Sequence, residues 1–170
     1  MQRMHAALVA GAILAAGPAP AMAAERDLGT HRLDGGLDLA WTVLEATGSG
    51  QWIGAYTIRG DLAEAEAGEE ALLAGWSISC EGVMNASGRR IEHDAGTCRL
   101  ESPTGQRFAA RFAVEAGVWG RSALRIAFSG GTGVYRTLRG EGEVERLMYL
   151  PPDASSGWGY LTGTVRWHRD

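Results

Sequence analysis

The sequence predicts an all-β domain, most economically an eight-stranded antiparallel up-and-down barrel. From residue 37 onward, apolar side chains recur at every second position, which is the period of a strand with one buried face. Glycine-bearing turns interrupt this alternation about every 10 to 15 residues, a spacing typical of consecutive antiparallel strands. The 170 residues include 25 glycines, and helices tolerate glycine poorly because each one costs about 1 kcal/mol relative to alanine. A two-sheet β-sandwich has the same periodicity and is the alternative architecture.

Eight segments combine the apolar alternation with turn residues at both ends. Strands with one buried face must close or stack to bury those faces and to protect their edges. An eight-stranded barrel has an interior just wide enough to be filled by side chains or to hold one small ligand. The predicted strands are, in chain order, 37–46, 51–59, 76–84, 91–102, 107–114, 122–129, 140–150 and 157–168.

The first four strands are each predicted from one row of apolar side chains. A Gly-Ser-Gly turn at 48–50 separates the first two, because glycine adopts the backbone angles that tight turns require. The two cysteines fall in the inward rows of the third and fourth strands. These four rows are Leu39, Trp41 and Val43; Trp52, Tyr56 and Ile58; Trp76, Ile78, Cys80 and Met84; and Cys98 and Leu100.

The last four strands follow the same pattern, most clearly at 107–114. There, apolar side chains alternate with Arg107, Arg111 and Glu115, which indicates one dry face and one wet face. The four inward rows are Phe108, Phe112 and Val114; Leu124, Ile126 and Phe128; Val144 and Met148; and Leu161, Val165 and Trp167.

One acidic segment, 61–74, departs from the strand pattern. Asp61 and Glu64 are spaced like a helix N-cap and its N3 partner, but Gly68 would interrupt a helix. We interpret the segment as a polar excursion between strands. Calcium binding by its carboxylates is the alternative, although the ligand spacing and turn glycine of a calcium loop are missing.

The N-terminus has the features of a secretory signal peptide. Arg3 precedes an apolar stretch at 6–16, helix-breaking residues follow, and 21–23 form a small-x-small cleavage site. We expect cleavage after Ala23, export to the periplasm or beyond, and one domain at 24–170. In an oxidising compartment, Cys80 and Cys98 are expected to form a disulfide, since both share the inward phase of their strands.

The composition excludes several classes of function. All 16 basic side chains are arginines and the net charge is −4, which disfavours nucleic acid and anionic membranes as partners. Without lysine, no cofactor can be held as a Schiff base, and no cofactor fingerprint is present. His31, His93 and His168 are far apart and lack metal-ligand spacing, and we place His93 and Asp94 in a turn. We therefore expect no cofactor, no metal and no membrane span.

The run Phe-Ser-Gly-Gly-Thr-Gly-Val-Tyr at 128–135, followed by Gly-Glu-Gly at 140–142, is the most distinctive motif. It resembles the corresponding element of the allene oxide cyclase and dirigent-like barrel proteins. The resemblance implies a calycin-like eight-stranded barrel with a cavity for an apolar or aromatic ligand, cofactor-free chemistry in some members, and a homo-oligomer. We interpret the motif as structural, with glycines making a sharp corner and the tyrosine closing the barrel end. Its residues are Gly130, Gly131, Gly133, Tyr135, Gly140 and Gly142.

The inward face supplies the candidate functional residues. Glu45 and Arg146 share the phase of the buried side chains, so they are the candidate catalytic pair if they lie in a cavity. If they lie at strand ends instead, they are solvated at the barrel rim. The candidate ligand-binding residues are the inward aromatics Trp41, Tyr56, Trp76 and Phe112, which would otherwise form a filled core.

Three functions remain open at this point. The first is an exported, non-catalytic binding module for a small apolar or aromatic ligand. The second is a cofactor-free cyclase or isomerase that acts in the barrel cavity through Glu45, Arg146 and Tyr56. The third is a structural, envelope-associated protein with a packed interior. A cavity of about 300 Å³ or more would favour the first two.

Overall fold

The chain folds into a closed antiparallel barrel of eight strands that follow one another in sequence order. The computed structural model describes residues 26–63, 72–150 and 154–170. It confirms the predicted barrel and excludes the sandwich. The strands are β1 Arg26–Ala46, β2 Gln51–Leu62, β3 Ser77–Ser87, β4 Arg90–Glu101, β5 Arg107–Val118, β6 Arg121–Ser129, β7 Leu138–Tyr149 and β8 Ser156–Arg169.

The first strand is much longer than the alternation predicts. It begins at Arg26 instead of residue 37, and its early part pairs only with β8, starting at Arg169. Pairing with β2 begins at Gly35. Three glycines and several polar residues weaken the apolar alternation in this early part, so the strand there is defined by its pairing partner. The other seven strands differ from the predicted bounds by a few residues.

The predicted signal peptide and most of the acidic excursion, including Glu64 and Gly68, lie outside the described residues. Asp61 belongs to β2, which ends at Leu62, so the predicted start of the excursion at residue 61 was wrong. No helix among the described residues is long and apolar enough to cross a membrane.

The glycine motif forms the connection between β6 and β7. Gly130 and Gly133 have φ angles of 74° and 56°, a backbone region that other residues rarely adopt. A short 3-10 turn, Gly133–Tyr135, follows. The Tyr135 ring packs edge-on against Trp76 at 5.1 Å and against Phe108 at 6.4 Å between ring centroids. The connection therefore covers the end of the barrel at which β1 begins, which we call the lower end.

The barrel interior is packed with apolar side chains in two aromatic groups. The lower group contains Phe108, Phe128 and Trp167, whose ring centroids lie 4.8 to 6.0 Å apart. The upper group lies near the β1–β2 and β5–β6 turns. Its three tryptophans, Trp41, Trp52 and Trp119, contact one another edge-on at 5.1 to 5.4 Å.

Several large inward rings lie over a glycine of the neighbouring strand. A β-carbon at these glycines would overlap the ring, so part of the glycine excess makes room for aromatic side chains in a narrow barrel. The directly paired examples are Tyr56 with Gly82, Phe112 with Gly96 and Trp167 with Gly140.

We expect Gly140→Ala to destabilise the barrel by about 1–3 kcal/mol through overpacking. The new β-carbon would lie 2.5 Å from Cε3 of the buried Trp167, and a ring in a packed core has little space to move. Gly36→Ala is the matched control, because nothing lies within 4 Å of a β-carbon there. Urea unfolding measures both variants, and equal stabilities would contradict this account of the glycines.

The predicted disulfide between Cys80 and Cys98 is confirmed. The two residues are directly opposite each other on β3 and β4, with Cα atoms 4.0 Å apart. Both side chains are buried. The bond therefore joins two neighbouring strands from inside the barrel.

Candidate functional site

Four polar side chains meet inside the barrel below the upper tryptophans, and we call them the interior polar centre. They are Tyr56 on β2, Asp94 on β4, Ser122 on β6 and Arg146 on β7, and all are buried. Each occupies an inward position of its strand, so the closed sheet brings them together from four sides. Arg146 is only 2% exposed and Asp94 only 1%, and charged residues are almost never buried to this extent unless they are paired.

The hydrogen bonds of the centre converge on Asp94 and Arg146. The Arg146 guanidinium forms an ion pair with the Asp94 carboxylate and also donates to the Tyr56 hydroxyl at 2.9 Å and to Ser122 Oγ at 3.1 Å. The Tyr56 hydroxyl donates to Asp94 Oδ1 at 2.5 Å. Both carboxylate oxygens therefore have a donor, as a buried charge requires.

The surroundings keep the Tyr56 hydroxyl protonated and the Arg146 guanidinium charged. Burial, together with the nearby Asp94 carboxylate, raises the pKa of Tyr56 far above its usual value, so its hydroxyl remains a donor. Burial alone would lower the pKa of Arg146, but its interactions with Tyr56 and Asp94 outweigh that effect and raise the pKa. The guanidinium also lies 5.5 and 5.7 Å from the ring centroids of Tyr56 and Phe112, which favours the cation.

Packing separates the interior polar centre from solvent. The Trp41 ring stacks on Tyr56 at 5.7 Å, and the other two upper tryptophans contact Trp41 from the barrel mouth. An apolar cavity of about 20 Å³ lies beside Arg146 in the described part of the barrel interior. Small-molecule sites typically have about 300 Å³ or more. The cavity beside Arg146 is therefore too small for a substrate.

The structure brings together four of the candidate residues predicted from sequence. Tyr56 and Arg146 are hydrogen-bonded, and Trp41 and Phe112 pack against Tyr56. Trp76 belongs instead to the lower end, against Tyr135. All of these aromatic rings are part of the packed core.

Glu45 does not join this group. It follows a β-bulge between Val43 and Glu45 and is exposed near the end of β1. Val43, which was expected on the inward face, is 54% exposed. The reason is that β1 extends past the packed interior at its upper end.

Asp94 is the residue that sequence reasoning missed. It lies within β4 instead of a turn, and so does the exposed His93 next to it. A bulge opposite Asn85 changes the phase of β4 between Ile91 and His93, which obscured the alternation. Counting back in steps of two from the inward Cys98 would have found Asp94 on the inward face.

A second candidate site lies on the outer wall of the barrel, on β7 and β8. Tyr149 pairs with Trp158, and Leu147 pairs with Tyr160, in adjacent rows of the sheet. We call these four side chains the outer aromatic patch. All are exposed, Trp158 to 60%, and the rings of Tyr149 and Trp158 lie 5.5 Å apart at 39°. Exposed apolar clusters of this kind often mark binding sites.

Comparisons of the chain with protein-family models, with curated proteins and with solved structures found no match. Functional proposals for this chain therefore depend on its own residues and geometry.

Metal binding gains no support from the described residues. Within 26–63, 72–150 and 154–170, no three His, Cys, Asp or Glu side chains are placed to hold a metal ion. The acidic residues of the excursion, for which calcium binding was the alternative, lie mostly outside those ranges.

Proposed function

We propose that the protein is an exported, non-catalytic binding module, and that a small ligand with a flat apolar or aromatic face binds the outer aromatic patch. The observation that carries this proposal is a pair of exposed rings on the wall of a barrel whose interior is packed. The ligand class is the one expected from the sequence, but the proposed binding surface is the outer wall, whereas the sequence pointed to the interior rings.

The patch has the geometry of a rigid platform. Cross-strand pairing holds Tyr149 beside Trp158, so little side-chain entropy is lost when a ligand packs on them. Exposing two large rings to water is unfavourable by the same area effect that buries rings elsewhere in the chain. A ligand with a flat apolar face would cover the two rings and so remove their exposed area from water.

The size of the patch favours a small ligand over a protein partner. Its four side chains are 39% to 60% exposed and together present about 300–400 Å². A stable protein interface buries about 800 Å² on each partner. Polar residues border the patch, with Asp38 paired to Trp158 and Arg121 paired to Leu147, and these would orient a ligand that carries polar groups.

Export and family membership belong to the same proposal. The predicted signal peptide supports export, and a buried disulfide is compatible with an oxidising compartment. The closed eight-stranded barrel and the tight glycine corner are the features that an allene oxide cyclase or dirigent-like protein would have. Membership in that group is therefore proposed together with the binding role.

The packed interior affects the two alternative functions, a cyclase or isomerase in the barrel cavity and a structural, envelope-associated protein. A cyclase acting inside the barrel would require the upper tryptophans to move away from the interior polar centre. A structural, envelope-associated role requires no cavity, so the packed interior favours it as the second candidate. The following test separates the three.

We expect 1-naphthol, a flat aromatic probe, to shift the Trp158 indole and Tyr149 signals saturably in NMR titrations, and cyclohexanol to shift them much less. Tyr149→Ser/Trp158→Ser should remove the binding, because both rings of the platform are lost. Leu44→Ser/Val134→Ser is the matched control, since it removes exposed apolar side chains elsewhere and should leave the affinity unchanged.

Two results would contradict the proposal. Saturable shifts confined to Trp41 and Phe112 would point to an interior site and favour chemistry there. Shifts that never saturate, for either probe, would leave the structural role as the better explanation.

A further inference from the structure

An open groove of about 600 Å³ crosses the outer wall formed by β3 to β6, on the far side of the barrel from the outer aromatic patch. Ala109, in the outward row of β5, is much shorter than the arginines around it, and it lines the resulting depression. We call it the arginine groove. Its polar lining consists of Ser79, Glu81, Thr97, Arg99, Arg107, Arg111 and Ser129.

Strand register places three arginines of the groove close together. Arg99 on β4 is paired with Ala109 on β5, while Arg107 and Arg111 lie two residues to either side of Ala109. Arg99 is therefore a diagonal neighbour of both, at the roughly 7–8 Å spacing of such positions, within reach of long side chains. All three are exposed.

The positive charge of this cluster is only partly compensated. Arg107 donates to Glu101 at 3.2 Å, and Glu81 also lines the groove. Arg99 and Arg111 form no ion pair or hydrogen bond with any residue in the described ranges. A chain with a net charge of −4 thus gathers three cations in one concave surface, where the guanidinium fork can bind carboxylate or sulfate with two hydrogen bonds.

We propose that the arginine groove binds an acidic oligosaccharide that carries two or more carboxylate or sulfate groups. Arg99 and Arg111 lie on neighbouring strands, so the groove offers two separate guanidinium groups, each of which can bind one anionic group. The hydroxyls of Ser79, Thr97 and Ser129 supply donors and acceptors for sugar hydroxyls. The volume lies within the range of small-molecule sites.

A polynucleotide fits the groove less well. The aromatic ring nearest the groove, Phe108, points inward and is buried, so no ring in the groove lining can stack on a base. The negative net charge of the chain would also repel a long polyanion. This proposal is independent of the outer aromatic patch, because the two surfaces share no residue.

The test is calorimetric titration of the full-length mature protein with trigalacturonate, a heparin-derived tetrasaccharide, neutral maltotriose and single-stranded oligo-dT. We expect saturable binding of at least one acidic oligosaccharide and none of maltotriose. Arg99→Ala/Arg111→Ala should weaken that binding by about tenfold or more, because both guanidinium groups without an ion pair of their own are lost as donors to the anionic groups.

The matched control removes two exposed arginines from other strands, Arg32→Ala/Arg166→Ala. It changes the net charge equally and should alter the affinity less than about twofold, in keeping with the small effects expected for exposed charges far from a ligand. Thermal unfolding confirms that both double variants are folded.

Three outcomes would overturn the proposal. They are an absence of binding by both acidic oligosaccharides, an equal loss of affinity in the control variant, and oligo-dT binding as tight as that of the oligosaccharides. Either of the last two results would mean that the chain binds anions of any kind through its surface charge, without selectivity for oligosaccharides. Because none of these readouts involves Trp158 or Tyr149, failure here leaves the binding role of the outer aromatic patch unaffected.

Discussion

Arg146→Leu is expected to lower the free energy of unfolding by about 3–5 kcal/mol, the usual effect of breaking a buried ion pair by removing one partner. The substitution leaves the Asp94 carboxylate buried without its cation, with the Tyr56 hydroxyl as its remaining partner. Ser122 also loses the guanidinium that donates to it. Urea unfolding followed by tryptophan fluorescence measures the change.

A double-mutant cycle shows whether the loss comes from the stranded charge. Arg146→Leu/Asp94→Leu removes both charges and should recover much of the stability, because apolar replacement of a buried pair is often close to neutral. Arg107→Leu is the control for an exposed pair, since its partner Glu101 is also exposed, and it should cost less than about 1 kcal/mol. If Arg146→Leu costs no more than Arg107→Leu, the interior polar centre does not stabilise the fold as described.

Replacing both cysteines, Cys80→Ala/Cys98→Ala, is expected to cost about 3 kcal/mol in the chain-entropy model for a loop of this length. The sequence separation is 18 residues, and the bond restricts the unfolded chain more than it changes the folded sheet. Loss of two buried sulfur atoms adds a packing contribution of the same sign. Urea unfolding under oxidising conditions measures the difference.

Reduction provides the control for this second prediction. Dithiothreitol should bring the unmodified protein close to the double variant and leave the variant itself unchanged. A variant as stable as the oxidised protein would contradict the prediction. Export, as proposed, predicts that the intact mass taken without reductant corresponds to a chain that begins at Ala24 and holds no free thiol.

Much of the fold could be predicted because strand alternation is a local property of the sequence. Phe108, Phe128 and Trp167 are all in the inward rows predicted for their strands, and each is buried. The early part of β1 could not be predicted in this way. Gly29 and Gly35 interrupt the alternation there, and the segment is a strand because β8 lies beside it.

The candidate site could be predicted only in part. The alternation of inward and outward side chains along each strand placed Tyr56 and Arg146 on the inward face. It left open whether Arg146 lay at the rim or deep in the barrel. A bulge in β4 concealed the inward position of Asp94. The outer aromatic patch and the arginine groove were not predicted, because their side chains alternate outward like any solvated residue.

The sequence by itself determined the strands, most of their inward faces, the disulfide and the tight glycine corner, since each depends on residues near one another in the chain. Only the tertiary structure decided which side chains meet. Arg146 contacts residues 52 and 90 positions away, and the register of a closed sheet sets those partners. The same register aligns Tyr149 with Trp158 and Arg99 beside Arg111, so both proposed surfaces depend on how the strands pair.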